Sequence, residues 1–374
     1  MTALSRRSFV TTATLASLAP ALPAWAATGA LAGAEAPPTV GPLAGDDIVR
    51  LDYNESPYGP TPSAVKAMEL GARHSGRYEY EQQVRLIELF ARQNQVPVDH
   101  VAVFSGSRGP LQYGLASYAG ARSVVICTPT YDSVAAGAKA IGAALHETAL
   151  DARHAHDVRA MLAADPQAGV LYLCNPNNPT GTLTPRADIE HLVAHKPTGC
   201  LAIIDEAYIH FSDAQPCLDL AVQHDDVVVL RTFSKLFGIA GARLGVAVGK
   251  PEVLAALERF NGRNFISLAA ALGGIASLEQ PDLVAERKRT NRTNLDSTLA
   301  RLRAAGYTCT DAQANCFMVA LKRPAAPVIE ALEGSGVRVG RVFHAWPDWM
   351  RVSVGSAEQM DVFVRSFLRV MQHA

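Results

Sequence analysis

Short, nearly unbroken apolar runs recur along the chain, each closed by polar or turn-forming residues. Residues 227–230 read Val-Val-Val-Leu and give way to Arg231-Thr232-Phe233-Ser234-Lys235. Residues 200–204 end at Asp205-Glu206-Ala207-Tyr208, and residues 169–174 end at Asn175-Pro176-Asn177-Asn178-Pro179-Thr180-Gly181. Runs of this length without polar alternation mark strands buried on both faces of a parallel sheet. Residues 101–104, 123–127 and 244–249 extend the series. Helical periodicity is expected over 62–71, about 83–93 and near 186–195, and again beyond 252. From 306 the pattern changes to a smaller α+β unit, with strands at 316–321, 337–340 and 350–355. Polar residues gathered after apolar strands place chemistry at the carboxyl ends of an open α/β sheet, where such sheets take ligands.

Composition narrows the function classes. The formal charge is -1, with 34 Lys and Arg against 35 Asp and Glu. That balance gives no electrostatic case for binding nucleic acid or an anionic membrane surface. Glu286-Arg287-Lys288-Arg289-Thr290-Asn291-Arg292 reads as the solvated face of a long helix. Arg153-His154-Ala155-His156-Asp157 pairs two histidines in a loop that offers no further ligands, so solvated side chains and no metal are expected there. Cys127, Cys174, Cys200, Cys217, Cys309 and Cys316 show no paired spacing and read as small buried hydrophobes.

The amino terminus carries its own signal. Ser5-Arg6-Arg7-Ser8-Phe9-Val10 is a twin-arginine motif, followed by a mildly apolar stretch and Ala24-Trp25-Ala26. A leader over 1–26, cleaved after Ala26, implies export to the bacterial periplasm by the twin-arginine machinery, which carries folded proteins. The apolar stretch is too short and too rich in Pro and Thr to span a membrane. Residues 27–45, dominated by Ala, Gly and Pro, read as a flexible linker.

Lys235 is the sharpest chemical candidate. It sits where a buried strand ends, close in sequence to Arg243, and burial and neighbouring positive charge both favour a neutral, nucleophilic amine. That is what covalent attachment of an aldehyde cofactor needs. Gly106-Ser107-Arg108 turns from a strand into a helix, a place where backbone amides cradle an anion.

Taken together and in order, the segments ending at Asn178, Tyr208 and Lys235 resemble the pyridoxal-phosphate aminotransferases of fold type I, with the histidinol-phosphate aminotransferase branch nearest. The resemblance implies a large domain with a mostly parallel seven-stranded sheet flanked by helices, plus a smaller α+β domain. It divides the chain into an arm at 46–75 packing with the small domain, a large cofactor domain at 76–260, and a connecting helix with the small domain at 261–374. It implies a homodimer and a ping-pong exchange between an amino acid or amine and a 2-oxo acid. Lys235, Asp205 and Tyr208 become the catalytic set, Asp205 pairing with the pyridine nitrogen and Tyr208 and Asn178 with the ring oxygen. Gly106, Ser107, Arg108, Thr232, Ser234 and Arg243 grip the phosphate, and Tyr131 stacks on the ring. Tyr78 reaches the partner's phosphate, although Glu79 stands where the family has proline.

The same resemblance assigns Arg351 to the substrate α-carboxylate, a bidentate task suited to arginine. It gives Asn54 and Tyr58 to a substrate-covering arm. The donor stays open between a phosphorylated and an aromatic or imidazole side chain. Arg338 and Arg341 are candidate phosphate partners, in a loop also bearing His344, Trp346 and Trp349. A decarboxylase or lyase of the same fold, acting for example on a phosphorylated amino acid, is the alternative reading.

Overall fold

A computed structural model describes residues 48–373 apart from residue 263, so the twin-arginine leader at 1–26 and the linker at 27–45 lie outside the described residues. The strands, in chain order, are β1 (Val49–Leu51), β2 (Val101–Phe104), β3 (Val124–Thr128), β4 (Leu145–Ala149), β5 (Val170–Cys174), β6 (Leu201–Asp205), β7 (Val227–Thr232), β8 (Gly245–Gly249), β9 (Cys316–Ala320), β10 (Val337–Val339) and β11 (Trp349–Ser353).

Seven of them form one sheet in the order β2-β8-β7-β6-β5-β3-β4. Only β8 runs against its neighbours, pairing antiparallel with both β2 and β7. This is the mostly parallel seven-stranded α/β sheet that the apolar runs and the family resemblance imply. Every residue of β5, β6, β7 and β8 is buried, as continuous apolar runs require when helices cover both faces. Each fully buried Val, Leu or Ile there contributes about 1.5–3 kcal/mol of hydrophobic stabilisation. The helices Arg108–Tyr118, Arg186–His195 and Pro251–Asn261 supply apolar faces to the same core.

A second apolar cluster joins Leu51 of β1, Leu295 and Leu299 of the long helix Leu283–Ala304, Phe317 and Val319 of β9, and Phe363 and Phe367 of the last helix. Here β1 pairs in parallel with β10, Leu51 opposite Val339, and β9 pairs antiparallel with β11, Met318 opposite Arg351. The chain entering from β1 is thereby tied to its carboxyl-terminal unit, and residues 52–60 are delivered across the end of the large sheet.

Three expectations are corrected. His156 is not solvated: it is 2% exposed, its ring lies 3.2 Å from both the amide and the carbonyl of Cys174, and burial pulls its pKa down to about 4. The charge run at 286–292 is not uniformly a solvent face, because Arg287 turns inward to donate to the carbonyls of Leu236 and Gly59. Trp346 and Trp349 stack edge-on against His154 and do not line the large cavity described below. All six cysteines are free and buried, and among the described residues no helix is long and apolar enough to cross a membrane.

Candidate active site

The carboxyl ends of β3, β5, β6 and β7 open into a cavity of about 820 Å³. Its wall brings together Ser107, Arg108, Tyr131, Asn178, Asp205, Tyr208, Thr232, Ser234, Lys235, Arg243 and Arg351. Residues separated by up to 299 positions in sequence (Asp52 to Arg351) therefore share one pocket.

One end is built to take an anion. Gly106 adopts φ +83°, which a non-glycine residue rarely tolerates, and turns the chain from β2 into the helix Arg108–Tyr118. A Cβ at Gly106 would collide with the guanidinium of Arg243, and one at Gly245 would collide with the backbone nitrogen of Ser107. The two glycines let the helix start, β8 and Arg243 close on one point. Arg243, itself left-handed at φ 60°, donates from Nη1 to Ala240 O at 2.9 Å and lies 3.4 Å from Ser234 Oγ. Thr232 Oγ1 donates to Ser234 Oγ at 3.0 Å and accepts the Ser234 amide at 3.1 Å. Helix amides, two hydroxyls and a guanidinium meet there, the donor set of a phosphate cradle.

At the cavity floor Asp205, 4% exposed, ends β6. Its Oδ2 accepts from the Tyr172 hydroxyl at 3.0 Å and its Oδ1 from the Ala207 amide at 3.1 Å. Burial still outweighs those bonds and lifts its pKa to about 6. Beneath it the side chains of Arg231 and Glu206 form a buried ion pair at 2.8 Å, and Glu206 also accepts the Cys217 amide. That pair ties the ends of β6 and β7 together below the polar residues they carry.

Lys235 Nζ donates to the carbonyl of Tyr53 at 2.9 Å and stands 5.8 Å from the centre of the Tyr208 ring. Desolvation first, then the positive charge of Arg351, lowers its pKa to about 8. The sequence argument chose Arg243 as the neighbouring cation, whereas Arg351 acts more strongly. Arg351 is 5% exposed; its Nη1 donates to Asn178 Oδ1 at 2.9 Å, its Nη2 donates to the Asp52 carbonyl, and its Nε is buried with no partner. An incomplete set of bonds on a buried guanidinium is a standing demand for an acceptor.

The arm residues divide. Asn54 is buried and donates from Nδ2 to the Tyr208 hydroxyl at 3.1 Å, with its Oδ1 held by Ser353 and its carbonyl by Asn315. It positions Tyr208 from behind. Tyr58 is placed elsewhere: it is off the cavity wall, its hydroxyl accepting from Asn294 at 3.2 Å on the long helix. Tyr78 is also outside, 81% exposed and edge-on to Phe265 at 5.7 Å. Arg338 and Arg341 do reach the wall, where each is matched by an acid, Glu333 and Asp132 respectively. Sequence reading missed Tyr172, hidden in an apolar run, and Tyr53, whose contribution is a backbone carbonyl that no side-chain pattern reveals.

These residues fit pyridoxal 5′-phosphate: a cradle for its phosphate, a buried carboxyl for its ring nitrogen, and an amine of lowered pKa for its aldehyde. The family comparisons agree. The aminotransferase class I and II model matches residues 46–367. A histidinol-phosphate aminotransferase of Symbiobacterium thermophilum is 34% identical over 326 residues, 86% of this chain and 90% of that one. An aromatic amino acid aminotransferase of Corynebacterium glutamicum is 31% identical over 326 residues, 86% of this chain and 93% of that one. The structure of Sinorhizobium meliloti histidinol-phosphate aminotransferase in complex with pyridoxal-5′-phosphate has a TM-score of 0.80, covering 87% of this chain and 91% of that one; at 23% identity the likeness is one of fold. The chain belongs to the class I and II aminotransferases, and is a pyridoxal-phosphate-dependent transaminase that moves an amino group from an amino acid or amine to a 2-oxo acid.

Proposed function

We propose that the donor is an α-amino acid of the aromatic kind, held with its carboxylate on Arg351, or an amine of the histidinol-phosphate kind, which has no carboxylate and would set its phosphate there. The observation that carries this is the buried, unpartnered Nε of Arg351 beside Lys235 and Asn178. A carboxylate is the acceptor that a guanidinium fork takes bidentately.

The cofactor, when bound, supplies an electron sink for the substrate Cα. The chain supplies the rest. Gly106, Ser107, Arg108, Thr232, Ser234 and Arg243 hold the phosphate, and Tyr131 covers one ring face. Asp205 stays ionised against the protonated ring nitrogen, while Asn178 and Tyr208 donate to the ring oxygen, Tyr208 being held in place by Asn54. Arg351 fixes the substrate so that its Cα proton faces Lys235. The neutral Lys235 Nζ would take that proton from Cα and deliver it to the carbon that bears the cofactor's aldehyde.

Two outer features complete the reading. Tyr78 and Tyr80, exposed beside Phe265, form an aromatic edge suited to a second copy, so the working unit is a homodimer in which Tyr78 serves the partner's phosphate cradle. The twin-arginine motif and Ala24-Trp25-Ala26 direct the folded enzyme to the periplasm. The test of the donor reading is a panel of amines added to purified holoenzyme, followed by the cofactor's absorbance. Donors with a free α-carboxylate should convert it, and Arg351→Ala should raise their KM by about a hundredfold or more. Equal KM values in the variant would overturn the assignment.

A further inference from the structure

Five carboxylates line the cavity: Asp52, Glu55, Asp132, Asp205 and Glu333. Three are already matched, Glu55 with Arg50 at 3.5 Å, Glu333 with Arg338 at 2.9 Å, and Asp132 with Arg341. Asp205 is the partner of the cofactor nitrogen in the reading above. Asp52 remains. It is 9% exposed, its Oδ1 is buried without a hydrogen-bond partner, and among the described residues no cation stands within ion-pair distance. Burial dominates and raises its pKa; its own backbone amide, Arg50 and Arg338 pull the other way, and Glu55 pushes with burial. A carboxyl in that condition costs stability unless something completes it.

Its position says what would complete it. Asp52 follows β1 directly, and its own carbonyl accepts from Arg351 Nη2. Asp52 and Arg351 also line the same cavity, so a substrate whose α-carboxylate sits on Arg351 shares that space with Asp52. On the same wall, the two arginines that would greet a phosphate are already neutralised by acids.

We propose that Asp52 is a specificity residue that selects amino donors carrying a second, cationic nitrogen, an ammonium, guanidinium or imidazolium, over neutral and phosphorylated ones. This rests on Arg351 as the α-carboxylate site. Such a donor is held at both ends, by Arg351 and by Asp52, and its charge fills the one cavity acid left unmatched. A phosphate in the same place would have to break the Arg338–Glu333 or Arg341–Asp132 pair and would face Asp52 as a like charge.

The experiment uses the holoenzyme. The probes are α,ω-diamino acids of three to six carbons, histidine and arginine, each set against a neutral donor of matched length, with O-phosphoserine, which has an α-carboxylate and no second nitrogen, as the anionic probe. The cofactor's absorbance change gives kcat/KM for each. At least one basic donor should exceed its neutral match by about tenfold or more, the scale of one charge-assisted bond. In Asp52→Asn that ratio should collapse towards one through KM, with kcat for the basic donor little moved. Neutral matches equal to or better than every basic donor in the unmodified enzyme would overturn the proposal, whether or not the variant folds. So would O-phosphoserine outrunning all basic donors, or a ratio untouched by Asp52→Asn. Silence from every donor, neutral ones included, would overturn the underlying reading of the Arg351 site and not the charge preference alone.

Discussion

The hydroxyl of Tyr172 donates to Oδ2 of Asp205 at 3.0 Å, both side chains being buried. Burial holds the Tyr172 pKa well above its usual value, so the hydroxyl remains a donor at every working pH. Asp205 titrates at about 6 in the folded protein against 3.8 for a free side chain. Between those values the folded chain binds more protons than the unfolded one, so this group's contribution makes the cofactor-free protein less stable as pH rises through the window, by on the order of 3 kcal/mol in total. Tyr172→Phe removes a bond that favours the carboxylate. It should push the upper edge of that window higher and weaken cofactor binding at pH 7 by about tenfold, the worth of one bond to a charged group. Urea unfolding across pH and cofactor titration read both effects. Unchanged profiles would show that the hydroxyl only fills space.

Lys235 gives a prediction at higher pH, where burial again favours the neutral form. Its pKa of about 8, set by desolvation and by Arg351, leaves a sizeable neutral fraction where an ordinary lysine has almost none. In cofactor-free protein, acylation of Lys235 followed by peptide mass spectrometry should show half-maximal reactivity near pH 8. In Arg351→Gln the midpoint should move up, because a nearby cation is lost. In holoenzyme, borohydride should fix the cofactor's label to the peptide carrying Lys235, and Lys235→Ala should abolish both the label and turnover. A label that persists in that variant would reassign the attachment site.

The glycines around the anion cradle separate by geometry. A Cβ at Gly245 would meet the backbone of Gly106 and Ser107, which cannot retreat without moving the helix start. Gly241, four residues earlier and also on the cavity wall, has nothing within 4 Å of the same added atom and needs no unusual φ. Gly245→Ala should cost about 2–4 kcal/mol of stability and most of the phosphate affinity, as overpacking against rigid neighbours does. Gly241→Ala should stay within about 0.5 kcal/mol of the parent. Thermal unfolding with and without inorganic phosphate makes the comparison. Equal behaviour of the two variants would contradict the cradle.

Much of this site was legible because buried parallel strands announce themselves as apolar runs, and the polar residues that end them fall on one edge of the sheet. What stayed hidden was either non-local or disguised. β1 is three residues long and pairs with β10, Val49 opposite Val337 and 288 positions away, so no local pattern marks it. β4 lies at the sheet's edge with mostly exposed residues and lacks an apolar run. Tyr172 read as core, yet its partner was within reach of the period-two rule: it shares a strand face with Cys174, which lies opposite Asp205 in the β5–β6 register. The loop motif around Tyr58 says nothing about which way its ring turns, and the ring lies against the long helix, off the cavity wall. Arg287 was lost in a run of charges on a helix that buries Leu283 before the run and Asn291 within it.

Arg287 is the residue through which the long helix ties together the two chain segments that meet at Lys235. From the helix Leu283–Ala304 its Nη1 donates to the Leu236 carbonyl at 2.8 Å and its Nη2 to the Gly59 carbonyl at 2.7 Å. Leu236 follows the catalytic lysine, and Gly59 closes the segment whose Tyr53 carbonyl accepts from Lys235 Nζ. One guanidinium therefore fastens both sides of the contact that parks the amine. Arg287→Ala leaves two part-buried carbonyls without their charged donor and should cost about 2–4 kcal/mol. The loss should be local as well as global: amides over 53–59 should exchange with deuterium faster, and donor KM should rise more than kcat falls. Arg287→Lys restores the charge but reaches one carbonyl at a time, since an ammonium has no planar fork, and should recover only part of either effect. If exchange over 53–59 were the same in Arg287→Ala as in the parent, the arm would be held by Asn54 and Asn315 alone, and the helix would have no hand in the geometry of Lys235.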